Sequence, residues 1–270
     1  MSAQPIKIAI LAMGGEGGGV LADWIVDLAE QSGHIAQTTS VPGVAQRTGA
    51  TIYYLELFPR AAADAAGRAP VLAMMPLPGD VDVVLASEAM EAARAVERGL
   101  VTPDRTTLIA STHRVYAIAE KMAMGDARVD SAALIEQARH AAQRLVAFDM
   151  ARTAEQTGSV ISAVLFGALA ASKTLPFDQP AFEATIERGG VSVAASLRAF
   201  CAGLASASGQ NGSQTEQPSE AAARGARAGL LSRACPTDVS VTPPWRRASS
   251  GSSAASTARR ARRRPLRRRA

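Results

Sequence analysis

The sequence predicts an α/β chain built in three layers, a mostly parallel sheet with helices on both faces. Three observations predict it. Short apolar runs alternate with helical patterns along most of the 270 residues, 47% of the chain is hydrophobic, and the first run ends in a cluster of glycines. Runs such as Ile6-Lys7-Ile8-Ala9-Ile10-Leu11 lack the regular polar alternation of a half-exposed strand, so they read as strands covered on both sides. A chain of this length can bury one substantial core, and its 4% aromatic share suits packing built on Ala and Val.

The first strand, near 6–11, leads into Met13-Gly14-Gly15-Glu16-Gly17-Gly18-Gly19. Beyond it, Val20, Leu21, Trp24, Ile25, Leu28 and Ala29 draw one apolar stripe down a helix near 18–32 that stops at Gly33. A short strand near 35–41 follows. Pro42-Gly43 then marks a turn, and the segment Gly43-Val44-Ala45-Gln46-Arg47-Thr48-Gly49 returns the chain into a strand near 50–58. Residues 59–80, with Pro59, Pro70, Pro76 and Pro78, read as a surface excursion whose Met74-Met75 pair packs either on the sheet or on a partner, packing within the chain being the expected case. Strands near 81–86, 107–111 and 144–149 alternate with helices near 88–98, 113–123, 131–142, 159–172, 180–188 and 192–204. Ser87 and Asp178 supply candidate caps, and Gly99 and Gly189 candidate ends. The longest apolar stretch, Val160–Ala171, falls short of the roughly 18 residues a bilayer requires and reads as a buried core helix.

From about Ser206 the character of the chain changes. Lys, Ile, Phe and Tyr are absent from there on, and 13 arginines stand against the three acids Glu216, Glu220 and Asp238. The net charge of +5 therefore divides into an acidic body, near −5, and a tail near +10. Residues 206–270 are expected to be a low-complexity Arg/Ala/Ser/Pro-rich tail that is disordered or out of frame, because such a composition cannot bury a core. Nucleic-acid binding is not expected of it: it has no Lys, only Trp245 for stacking, and no nucleic-acid-binding fold is legible in the chain. The N-terminus lacks an export signal, no transmembrane run is present, and only Cys201 and Cys235 occur, so a cytoplasmic protein without membrane contact is expected.

The glycine junction excludes some chemistry. A phosphate loop needs Lys and Ser or Thr after its last glycine, whereas Val20 and Leu21 follow Gly19. A dinucleotide fold needs an acid at the end of the second strand, where Gln37, Thr38, Thr39 and Ser40 stand. Two readings of Gly14, Gly15, Glu16 and Gly17 remain: contact with an anion or partner at a helix N-terminus, or tight strand-to-helix packing. Arg47, on a loop beside Gln46, Thr48 and Gly49, likewise either grips an oxygen-rich ligand or ties down a loop or subunit boundary. No nucleophile triad, paired carboxylates or metal set is legible. His34 and His140 read as packing or solvent residues, and His113 stands at a strand-to-helix loop where a site could form.

Together these segments resemble the gamma-type domain of ferredoxin-dependent 2-oxoacid oxidoreductases, within it the beta subunit of indolepyruvate oxidoreductase. The resemblance is carried by Gly14-Gly15-Glu16-Gly17, by Leu21-Ala22, by the Gln46-Arg47 loop, by Val81–Glu88 with Met90-Glu91-Ala92-Ala93-Arg94, and by Gly158–Leu169 with Leu175-Pro176-Phe177. It spans about residues 5–205, so a domain 1–205 and a tail 206–270 are expected. Glu16 stands where Gln is commoner and Thr48 where Gly is commoner, a variant of the longer proteobacterial members. The resemblance implies a subunit of an enzyme that oxidatively decarboxylates an aryl 2-oxo acid, with coenzyme A as acyl acceptor and ferredoxin as electron acceptor. Thiamine diphosphate and [4Fe-4S] clusters would then lie in a partner alpha subunit, since two cysteines cannot furnish a four-thiolate cluster. Such a chain is inactive alone, and the loop residues 14–17 and 46–49 are the candidates for ligand or subunit contact. The competing reading is a stand-alone Rossmann-like protein that binds a nucleotide or acyl-CoA.

Overall fold

A computed structural model describes residues 3–42, 50–115 and 130–211. Strands β1 (Ile6–Met13), β2 (His34–Val41), β3 (Ala50–Pro59), β4 (Val83–Ala86), β5 (Thr107–Ser111) and β6 (Arg144–Phe148) form one sheet among the described residues, in the order β2-β3-β1-β4-β5-β6. β1, β4, β5 and β6 pair in parallel, while β3 runs antiparallel to both β1 and β2. β3 alone thus opposes the common direction. The sheet is mostly parallel, as the apolar runs predict, and the short connection through residues 42–49 is what reverses β3, because a parallel return needs a longer crossover.

The helices are α1 (Gly18–Gln31), α2 (Arg60–Ala66), α3 (Ala89–Glu97), α4 (Ser131–Ala141), α5 (Met150–Thr157), α6 (Ile161–Ser172), α7 (Gln179–Gly189) and α8 (Val193–Asn211). Successive strand residues feed opposite layers. Ile8, Ile10, Leu55, Leu57, Val83, Leu85, Ile109 and Val146 pack with α1 and α5–α8, whereas Ala9, Leu11, Val84, Ala86, Leu108 and Ala110 pack with α3 and α4. In the first layer Phe166 of α6 contacts Trp24, Phe182 and Phe200 at ring-centroid distances of 5.4, 4.8 and 6.0 Å. α6 and α8 touch backbone to backbone: a Cβ on Gly167 would lie 2.0 Å from Phe200 O, and one on Gly203 2.3 Å from Val164 O. α6 is buried along nearly its whole length, as read from Val160–Ala171. Among the described residues no single helix is long and apolar enough to cross a membrane.

Several local expectations are corrected. Residues 60–66 form α2, because after Pro59 five alanines in seven residues favour a helix. The chain then continues without helix or strand, and its backbone is pinned to the sheet: Gln37 Nε2 donates to Ala73 O at 2.9 Å, Thr39 Oγ1 donates to Met74 O at 2.7 Å, and Ala73 N–H donates to buried Glu56 at 2.8 Å. These backbone ties leave Met74 and Met75 71% and 60% exposed, not packed on the sheet. β4 starts at Val83, not 81, since Val81 and Asp82 are held by Thr106 and Lys7 before the ladder begins. Residues 150–157, assigned no element from sequence, form α5, capped by Asp149 and closed by Gly158 at φ 67°. α8 runs on past 204 to Asn211, with Ala207 buried and Gln210 bonded through both side-chain ends to Ala147. Asp178 caps α7 as expected, but α3 is capped by Glu88, not Ser87, and α7 closes on Gly190, not Gly189. Residues 112–115 are not helical, and the rest of the helix expected over 113–123 lies outside the described residues, as does the tail beyond 211.

Candidate functional site

In the sheet, β1 delivers its helix α1 to one face and its neighbour β4 delivers α3 to the other. The crevice between the carboxyl ends of β1 and β4 is therefore a topological switch point, the place where open parallel sheets receive ligands. The glycine turn sits there. Gly15 (φ 90°) and Gly17 (φ 79°) take left-handed backbone that any Cβ would strain, and Gly17 is the N-cap of α1. Gly18 is required by contact, because a Cβ on it would fall 2.5 Å from Ala12 Cβ and 2.9 Å from the Tyr53 ring. Both readings of the glycines meet here: close packing explains Gly18, and the turn still borders the crevice.

Glu16, between the two left-handed glycines, turns its carboxylate inward across the strand ends. Ser87 Oγ, which accepts from Met13 N–H at 3.1 Å, donates to Glu16 Oε2. His113 Nε2 lies 3.3 Å from Glu16 Oε1, and His113 Nδ1 lies 2.8 Å from Ser111 Oγ. Ser111 Oγ accepts from Met150 N–H at 3.0 Å. Met150 N–H donates to Ser111 Oγ, and a neutral His113 that turns Nε2–H to the Glu16 carboxylate would accept the Ser111 hydroxyl proton at Nδ1. The network ties together the ends of β1, β4 and β5 and the start of α5. It holds the residue types of a hydrolase triad, but Ser111 is fully buried, so no substrate reaches its hydroxyl and it does not serve as a nucleophile.

On the far side of the crevice Glu88 caps α3. Its carboxylate accepts from Glu91 N–H at 3.1 Å and Val115 N–H at 3.3 Å, and Arg114 lies 3.8 Å away. Glu91, 1% exposed, is paired with Arg94, and burial pushes its carboxyl above the usual range although Arg94 pulls it back. Gln46, Arg47, Thr48 and Gly49 lie outside the described residues. The strands that bracket them end at the same edge, since Ala50 pairs with Met13 and Val41 with Ile52. His34 and His140 are the packing and surface residues expected, His34 edge-on to Phe177 at 5.0 Å and His140 exposed beside Glu136. Ser111 and Arg114 were not singled out in the sequence; the available signal was position, each following an apolar strand run.

Neither thiamine diphosphate nor an iron–sulfur cluster fits these residues. A bound diphosphate needs amide or cationic donors and a divalent ion held by oxygens, yet the helix starts at this crevice carry carboxylates of the chain itself. Among the described residues no group of His, Cys, Asp or Glu could hold a metal, and Cys201 is a single exposed thiol. A groove of about 650 Å³ lies on the α1 face, floored by Trp24, rimmed by Val160 and Val191, and crossed by the Arg188–Asp27 ion pair.

An open, mostly parallel sheet with a polar switch-point crevice defines a binding or subunit domain of the doubly wound class, without a redox centre of its own among the described residues. The chain belongs to the pyruvate ferredoxin/flavodoxin oxidoreductase family, whose model matches residues 7–206. Among solved structures it is similar to the pyruvate oxidoreductase subunit PORC of Thermotoga maritima, with TM-score 0.51, 17% identity and coverage of 74% of this chain and 95% of that one. It is also similar to the 2-oxoglutarate:ferredoxin oxidoreductase of Magnetococcus marinus, with TM-score 0.52, 17% identity and coverage of 80% of this chain but only 32% of that one. The keto/oxoacid ferredoxin oxidoreductase gamma subunit of Geobacter sulfurreducens aligns at TM-score 0.49 and 17% identity over 75% of this chain and 98% of that one. No curated protein matches the sequence. At these identities the likeness to the Thermotoga maritima and Magnetococcus marinus structures speaks for the fold.

Proposed function

We propose that this chain is the non-thiamine subunit of a cytoplasmic 2-oxoacid:ferredoxin oxidoreductase that acts on an arylpyruvate such as indolepyruvate. The observation that carries this reading is the family match over residues 7–206, most of the chain, together with a switch-point crevice in which no metal-holding group stands among the described residues. The two redox groups belong to an alpha subunit, which binds thiamine diphosphate and the clusters and passes electrons to ferredoxin; coenzyme A takes the acyl group. The gamma-type domain runs past the expected boundary at 205 to the end of α8 at Asn211, whose last turns pack on the core, and the Arg-rich segment beyond it lies outside the domain. The exposed apolar side chains of Val71, Met74, Met75 and Leu77 support a partner-covered surface, because monomers rarely leave such residues together in water.

Within the assembly the turn Gly14–Gly17 and the loop Gln46–Gly49 meet the partner beside its active centre. The test is reconstitution with the alpha subunit and 2-oxo-acid-dependent dye reduction with indolepyruvate, phenylpyruvate and branched-chain 2-oxo acids. Arg47→Ala is the informative change: a large loss of turnover in an intact complex gives Arg47 a ligand role, and loss of assembly gives it an interface role. Wild-type turnover and assembly in that variant would remove the loop from the proposal.

A further inference from the structure

A glycine turn that opens a long helix at a switch point is ordinarily a phosphate site, with unpaired N–H groups and the helix dipole facing the crevice. Here each of the two helix starts that flank the crevice has a carboxylate of the chain beside it. At α3 the Glu88 carboxylate caps the helix, accepting from Glu91 N–H at 3.1 Å while only 1% exposed. At α1 no side chain caps the first turn, but the residue just before the Gly17 N-cap is Glu16, whose side chain is 84% covered. Its two oxygens are held separately, one by Ser87 Oγ and the other by His113 Nε2, and each of those donors is fixed in turn by a backbone amide or a second side chain. A carboxylate that merely tolerated its place on a turn would extend into water; this one is anchored over the strand ends by residues 71 and 97 positions away.

We propose that Glu16 is a specificity-determining residue: its carboxylate is a resident anion that closes the switch-point crevice to phosphoryl groups, so the glycine turn presents a surface to a polypeptide and not to a nucleotide or the phosphates of coenzyme A. The physics is a like-charge veto. A second anion placed beside a fixed, partly buried carboxylate meets repulsion that water screens poorly, and it finds Ser87 Oγ and His113 Nε2 already engaged by Glu16. Glu16→Gln keeps the shape and the acceptor for Ser87 while removing the charge. His113 and Ser87 are the positioning residues, since releasing either lets the carboxylate swing into solvent, where its repulsion is screened.

This inference rests on the reading of the crevice as the functional edge of the subunit, but its test needs no partner, so its failure is distinct from a failure of the proposed activity. The full chain and its Glu16→Gln variant are titrated calorimetrically with inorganic pyrophosphate, and their melting is followed with and without it. The expected result is no saturable binding by the wild-type chain and saturable binding by Glu16→Gln at least about tenfold tighter than the wild-type limit. Should Glu16→Gln fail to fold, His113→Gln is titrated instead, with a smaller gain expected in the same direction. Saturable wild-type binding of pyrophosphate overturns the proposal, and so does a folded variant that binds no better than wild type.

Discussion

Glu16 and His113, 97 residues apart, meet with Nε2 3.3 Å from Oε1 and so join the turn after β1 to the loop after β5. The contact is what makes the crevice a single polar unit. His113→Ala should leave the sheet intact and free the turn: a loss of about 1 kcal/mol in denaturant stability, with faster amide exchange confined to residues 13–17. Exchange rates across those residues identical to wild type would show that the turn does not depend on this bond.

Adjacent glycines in α1 should behave oppositely. A methyl on Gly18 collides with Ala12 and Tyr53, whereas one on Gly19 meets only Tyr53 Oη at an ordinary 3.4 Å. Gly18→Ala is expected to cost about 1–3 kcal/mol. Gly19→Ala should be neutral or stabilising by up to about 1 kcal/mol, because alanine favours the helix. Thermal melts of the two variants compare them directly.

Much of this architecture was legible in the letters and some was not. β1, β2 and β5 were found to within two residues at each end because their apolar runs are bounded by turn-forming residues. α5 was missed, since Met150–Thr157 carries a short apolar stripe on a polar octamer that sequence alone does not separate from a loop. Met74 and Met75 were misplaced because burial there is decided by backbone bonds from Gln37 and Thr39, which side-chain hydrophobicity does not report. At the site, Glu16 was visible as a departure in a glycine turn, but the direction of its side chain depends on Ser87 and His113, residues that only the sheet order brings together.

Phe166 is the centre of the aromatic contacts between α1, α6, α7 and α8 and is fully buried. Phe166→Ala should cost about 3–5 kcal/mol through lost contacts and the cavity left behind. A cost under 1 kcal/mol in chemical denaturation would mean that these helices do not share one core.

At the amino ends of the central strands Asp80 binds Lys7 and Arg105, and Arg105 Nε also reaches Asp82 at 2.7 Å. The Lys7 bond first, and Arg105 with it, holds the Asp80 carboxyl below the usual range. A depressed folded pKa favours the ionised form, so the contribution is present above about pH 4, the unfolded value, and is lost as pH falls through the lower folded value. Stability measured from pH 6 down to pH 2 should fall less steeply in Asp80→Asn than in the wild-type chain; equal slopes would remove Asp80 from the acid response.

The role of this chain as a subunit is tested most directly by affinity purification of the tagged full chain from cells that also express the candidate alpha subunit. The account predicts co-elution with a larger, brown, cluster-bearing protein, and 2-oxo-acid-dependent dye reduction in that fraction alone. A chain that elutes by itself and turns over a 2-oxo acid unaided would contradict it.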